Sequence, residues 1–155
     1  MPDMIDPKRL IPSNLRDKII LVRGVPGSGK TLFSNQIAQM IDKDYYNVLS
    51  IAADDFFYDE EGNYNYDKSK LPAAHEYCQM MVDTHLKGSS FHPSIIFVHN
   101  TFTMEWEMDP YFMIAKENNC IIYTVVVENR HKSDSTHNVP TQIINSMRNR
   151  FEVIL

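Results

Sequence analysis

The chain has 155 residues, 43% of them hydrophobic and 23% charged, with a net charge of −5. That length suits one domain around one core, and no apolar run is long enough to span a membrane. The acidic balance argues against broad adhesion to nucleic acid, which needs a basic surface. It leaves room for a few local cations to grip one phosphorylated end.

Residues 1–17 are polar, carry Pro2, Pro7 and Pro12, and read as an N-terminal arm. They contain no apolar signal segment, which argues against secretion. The two cysteines, Cys78 and Cys120, make no disulfide framework and fall in apolar stretches. Both read as buried thiols in a reducing compartment, cytoplasm or nucleus.

The domain proper is expected over 18–155. Lys18–Arg23 is a short β-branched, apolar run, the mark of a buried strand. Gly24-Val25-Pro26-Gly27-Ser28-Gly29-Lys30-Thr31 follows and fits the phosphate-binding pattern G-x-x-x-x-G-K-[ST]. A helix is expected from Lys30 to Ile41, with Leu32, Phe33, Ile37, Met40 and Ile41 near one face. Strand, glycine-rich turn and helix are the setting this motif needs. The glycines let successive N–H groups turn inward at an anion, and the helix N-terminus adds partial positive charge. Lys30 can reach the β- and γ-phosphates of ATP, and the Thr31 hydroxyl can bind Mg²⁺.

Tyr46–Ile51 reads as a second strand, whose exit carries Ala52-Ala53-Asp54-Asp55-Phe56-Phe57. From Tyr58 to Lys70 the chain is acidic and tyrosine-rich without clear period, a surface loop. Pro72 suits the first turn of a helix to about Leu86, with Tyr77, Met80, Met81 and His85 as inner candidates. Ser94–Val98 is a third strand, with His99, Asn100 and Thr101 at its exit. A helix is expected from about Thr103 to Asn118 despite Pro110. Cys120–Val127, the most apolar stretch, is a fourth strand. A polar, charged segment of about 128–139 follows, placed to act as a lid, and Pro140 opens a last helix through Phe151.

Strands alternating with helices imply a parallel sheet of about four strands wrapped by helices, an α/β fold. Ligands in such folds sit beyond the carboxyl ends of the strands. The phosphate loop, Asp54-Asp55 and His99-Asn100 should therefore share one cleft. A phosphotransferase needs a carboxylate to accept the proton of the attacking hydroxyl, and Asp54 is the first candidate. Asp55 beside it is a candidate to attract Mg²⁺ with its water shell. Arg130 and Lys132 are candidates to neutralise charge on the transferring phosphoryl group.

These stretches together carry a resemblance. The phosphate loop, Ala53-Asp54-Asp55-Phe56-Phe57, Gly62-Asn63-Tyr64-Asn65-Tyr66, Leu71…Ala74-His75, Asn100-Thr101, Trp106-Glu107-Met108-Asp109-Pro110-Tyr111 and Val139-Pro140…Met147-Arg148-Asn149-Arg150-Phe151-Glu152 form a series. It resembles the small P-loop ATPases related to NEDD4-binding protein 2 and the 5′-polynucleotide kinases, over roughly Lys18 to Glu152. The resemblance implies a three-layer P-loop kinase-like fold, ATP and Mg²⁺, and transfer of the γ-phosphate to a 5′-hydroxyl of RNA or DNA. It implies that Asp54 is the general base and that Arg130 is the phosphate-clamping arginine. His75 matches a histidine of these relatives, with no role attached.

Three departures stand out. His99 occupies the place of an acid that would hold Mg²⁺ through water, and a neutral imidazole cannot replace that charge. Phe57 stands where the polynucleotide kinases carry an arginine touching the acceptor. Asp134 and Ser135 stand where relatives carry an Arg-Asn pair before the histidine here numbered 137. The polynucleotide 5′-hydroxyl is thus the first reading of the acceptor. A small-molecule hydroxyl, or a nucleotide-binding interaction module with little turnover, are the alternatives.

Overall fold

The computed structural model describes residues 12, 15–88, 91–132 and 134–155. Most of the expected N-terminal arm lies outside the described residues. Its last residues are docked: the Arg16 guanidinium donates to the backbone and side-chain oxygens of Asn119 at 3.0 and 3.1 Å, and the Asp17 carboxylate accepts from Ser94 N at 2.7 Å.

Four strands form one parallel sheet: β1 Lys18–Arg23, β2 Asn47–Ile51, β3 Ser94–Asn100 and β4 Ile121–Val126, in the order β2-β3-β1-β4. β1 is central, with Arg23 opposite Asn100 on one side and Val126 on the other. Four helices accompany them: α1 Lys30–Met40, α2 Leu71–Lys87, α3 Asp109–Glu117 and α4 Thr141–Asn149. The alternation of β1 divides the core in two. Ile19 and Leu21 join Ile51, Ile96, Val98, Ala74, Cys78, Val82 and Tyr111 in the cluster under α2 and α3. Val22 joins Ala38 and Phe97, with Ile20, Ile41 and Val48 packed alongside, under α1. Sheet between helical layers is the three-layer α/β arrangement that the alternating pattern implies.

Both cysteines are buried and neither forms a disulfide among the described residues. Two helix faces differ from the expectation. α1 buries the small residues Ser34 and Ala38, which let its backbone sit close on the sheet. Leu32 and Met40 face outward at 63% and 80% exposure, and of the expected stripe Ile41, half-buried, packs against the core. α2 buries Ala74, Cys78 and Val82, while Met80 is exposed and Tyr77 and Met81 only flank the core. Apolar periodicity marked the helices, but small residues chose the buried stripe.

The helix expected from Thr103 is split. A 3-10 turn covers Glu105–Met108 and α3 then starts at Asp109, with Pro110 in its first turn, where a missing N–H costs nothing. The Glu107 carboxylate accepts from Met104 N and from the Thr103 hydroxyl, which caps that turn. β4, despite its apolar composition, is an edge strand, with Tyr123 half exposed.

Candidate functional site

β1 ends at the sheet's carboxyl edge and turns through residues 24–29 into α1. Gly27 and Gly29 adopt φ of 80° and 96°, a backbone that L side chains rarely take. Gly24 is required for space. A Cβ there would lie 2.4 Å from Ser28 Oγ and 2.7 Å from the Val127 carbonyl oxygen. Gly29 is the N-cap of α1 and offers no side chain to its first N–H groups, which leaves them for an anion. Ser28 Oγ is fully buried and has no hydrogen-bond partner among the described residues. These are the properties of a phosphate cradle.

Lys30 turns its amine inward, toward the loop, and donates to the Val25 carbonyl at 3.3 Å. Burial lowers its pKa to about 8, against the opposing charge of Asp54. An anion in the cradle would replace that carbonyl as its partner. The next residue, Thr31, meets the end of β3, with its hydroxyl 3.2 Å from His99 Nδ1. Burial, then the Lys30 charge, lower the His99 pKa to about 4, so the ring is neutral at pH 7.

The exit of β2 forms a 3-10 turn, Ala53–Phe57, with Asp54 and Asp55 in it. Asn100, at the end of β3, holds this turn: its side-chain oxygen accepts from Ala53 N at 2.8 Å. Asp54 reaches the cleft, and its charge acts on both Lys30 and His99. The Tyr64 hydroxyl donates to Asp54 Oδ1 at 3.3 Å, and His137 Nε2 lies 3.7 Å from Oδ2. Asp55 instead turns back and accepts from Ala52 N at 2.8 Å. Burial raises its pKa first, opposed by the Ala52 bond and aided by the Asp54 charge.

Residues 19–154 match the family model described as an AAA domain. The chain belongs to that family. It is 31% identical over 100 residues to human NEDD4-binding protein 2; the match takes in 64% of this chain and 5% of that protein, so the chain spans a small part of that relative's length. Its fold resembles Chaetomium thermophilum Kti12 solved with ADP-AlF3, at a TM-score of 0.62 and 16% identity over 87% of this chain and 80% of that one. It also resembles a chain of the Pnkp1/Rnl/Hen1 complex, at a TM-score of 0.56 and 17% identity over 90% of this chain and 40% of the other. The architecture is therefore that of a P-loop kinase, with a nucleotide-binding fold.

Within this AAA-domain chain, the structure gathers Lys30, Thr31, Asp54 and His99 at one edge of the sheet and separates others from them. The Arg130 guanidinium pairs with Glu128, and its side chain is 85% exposed. Lys132 is better placed: it lines a cavity of about 490 Å³ with Pro26 of the phosphate loop, Val139, Ile144 and Arg148. Phe57 is 4% exposed and packs in the core, turned away from the cleft's solvent. Among the described residues no group of three or more His, Cys, Asp or Glu side chains could hold a metal. The Thr31 hydroxyl is an oxygen donor of the kind Mg²⁺ favours, whereas His99 beside it presents nitrogen.

Sequence reasoning gave no role to Tyr64, His137 or Arg148. Tyr64 and His137 lie in aperiodic polar segments, and their shared contact with Asp54 is made only by the fold. The resemblance did contain both, in Gly62-Asn63-Tyr64 and in the histidine before Val139-Pro140, without saying what they touch.

Proposed function

We propose that this chain is an ATP-dependent phosphotransferase that moves the γ-phosphate to a hydroxyl, with a polynucleotide 5′-end as acceptor. The observation that carries the reading is Asp54, which reaches the cleft close enough for its charge to act on Lys30 of the phosphate cradle. A carboxylate there is placed to take the hydroxyl proton while the hydroxyl oxygen bonds to the γ-phosphorus and ADP leaves. Lys30 and the free N–H groups of the loop bind the phosphates. Thr31 would hold Mg²⁺, which offsets charge on the β- and γ-oxygens when bound. Lys132 and Arg148 are the cations we assign to the transferring group, in place of Arg130. Residues 128–139 act as the lid, on a domain of 18–155.

The polynucleotide acceptor rests on the sequence resemblance described above. Phe57 favours a second reading, a small-molecule acceptor, because a buried phenyl ring stands where the polynucleotide kinases carry an arginine touching the acceptor. Transfer of label from ATP to 5′-hydroxyl oligonucleotides, compared among wild type, Lys30→Ala and Asp54→Asn, separates these. We expect wild type to label the oligonucleotide and both variants to lose transfer, Asp54→Asn while still binding ATP. Label that reaches small hydroxyl compounds but no nucleic acid would replace the first acceptor with the second.

A further inference from the structure

Asp54 is held from two sides by residues of two separate segments. Tyr64, from the loop after the Asp54 turn, donates its hydroxyl to Oδ1 at 3.3 Å. His137, from the segment after β4, brings Nε2 to 3.7 Å from Oδ2. The two rings stack on each other, with centroids 4.2 Å apart and planes 22° from parallel. Tyr58 buttresses them: its backbone bridges to Tyr64, and its ring lies 5.1 Å from Tyr64 and 6.5 Å from His137. Phe57 and Tyr66 pack on the other side of Tyr64, at 6.2 and 6.4 Å.

A capping aspartate needs none of this. Asp55 next door performs the capping with one backbone hydrogen bond. The aromatic stack instead fixes the direction of one carboxylate. With Oδ1 taken by Tyr64, the oxygen left for an incoming proton is Oδ2, the one that His137 faces. Burial, then the Asp54 charge, raise the Tyr64 pKa, so its hydroxyl keeps the proton it donates.

We propose that Tyr64 and His137 are positioning residues for Asp54. Tyr64 holds one carboxylate oxygen so that the other meets the acceptor hydroxyl, and His137, stacked on the Tyr64 ring, holds the segment after β4 beside that carboxylate. The inference rests on the reading of Asp54 as general base. The polar contact of each in this cleft is with Asp54, and each acts through it.

The test measures kcat, KM for ATP and thermal midpoint on the full chain for Tyr64→Phe, which keeps the ring and removes the hydroxyl. We expect kcat to fall roughly ten-fold, the scale of one hydrogen bond to a charged group, with KM for ATP unchanged. His137→Ala should lower kcat as well, and His137→Gln should restore part of it. Repeating Tyr64→Phe in an Asp54→Asn background distinguishes positioning from packing. Any trace of turnover left in that background should not fall further. Wild-type kcat in Tyr64→Phe, or an equal loss in both backgrounds, would overturn the inference and leave the base assignment standing. Full turnover in Asp54→Asn, or none in wild type, would overturn both.

Discussion

Thr31 and His99 meet at 3.2 Å, hydroxyl to imidazole, where the phosphate loop abuts the end of β3. The ring is buried and neutral at pH 7, so it brings no negative charge to a metal held by Thr31. Mg²⁺ prefers oxygen and charge, and partners of this kind typically change metal affinity by roughly 10- to 100-fold. His99→Asp should therefore lower the Mg²⁺ concentration that half-saturates ADP binding by about ten-fold. Calorimetric titration of Mg²⁺ into ADP and protein checks this. Equal midpoints for the two proteins would mean that the site's metal affinity does not depend on position 99.

The same ring makes the fold sensitive to acid. Its folded pKa of about 4 lies below the ordinary 6.5. Between those values the unfolded chain takes up a proton that the folded protein refuses, so stability falls as pH falls from 6.5 toward 4, by about 3 kcal/mol at most. His99→Gln removes this component. Urea unfolding from pH 7 to pH 4.5 should show a flatter decline for the variant than for wild type.

Lys30 carries the same sign in a higher window. Its folded pKa is about 8 against 10.5, so the penalty is complete below pH 8 and fades as pH rises through 10.5. Lys30→Met should thus stabilise the nucleotide-free protein at pH 7, by about 2 kcal/mol, while ADP binding is lost. The gain should shrink when unfolding is repeated above pH 9. Bound phosphate should also return the amine toward full protonation. ADP binding near pH 8.5 should then take up protons, visible as a dependence of calorimetric enthalpy on the buffer.

Much of this was legible in the residues, for identifiable reasons. Lys18–Arg23 and the glycines behind it announce themselves because a buried strand must be apolar and a phosphate cradle must lack side chains. What escaped depends on choices among neighbours. The inner face of α1 is set by Ser34 and Ala38, whose smallness allows close packing, whereas Leu32 and Met40 face outward. Arg130 carries the right charge for a phosphate clamp, but Glu128, two residues back, engages it. Asp54 was found as one member of a pair, yet only the fold shows that Asp55 is spent on Ala52 N while Asp54 meets Tyr64 and His137.

Gly24 offers a test of the cradle that leaves its chemistry intact. A methyl group there meets Ser28 Oγ at 2.4 Å and the Val127 carbonyl at 2.7 Å. Ser28 can be shortened, but Val127 is backbone, fixed by its N–H bond to the Arg23 carbonyl at 2.7 Å. Gly24→Ala should cost about 2 kcal/mol or more, in the range of overpacked cores, and should abolish ADP binding. Adding Ser28→Ala should recover little of either. Full rescue by Ser28→Ala, in urea midpoint and ADP affinity, would place the obstruction at the serine alone.

Arg23 ties the phosphate loop to the far end of the chain. It is 2% exposed at the last position of β1. Its guanidinium donates to the carbonyls of Phe102 and Glu152, lies 3.7 Å from the Glu105 carboxylate, and sits 5.0 Å above the Phe151 ring. The carbonyl bonds and the ring are the stronger partners, because the Glu105 side chain is a third exposed and its contact is long. Arg23→Met keeps most of the volume but leaves two carbonyls without their donor. It should lower stability by about 3 kcal/mol, whereas Glu105→Gln should cost less than about 1 kcal/mol. The loss should be local first: Glu152 follows α4, and its N–H also bonds the Thr103 carbonyl at 2.7 Å. Hydrogen exchange in α4 and at Glu152 should quicken in Arg23→Met before it does in β1 and β3, since those strands hold each other through the ladder between them. Uniform acceleration across the sheet and α4 would show that Arg23 supports the whole core and not the junction between the phosphate loop and the chain's end.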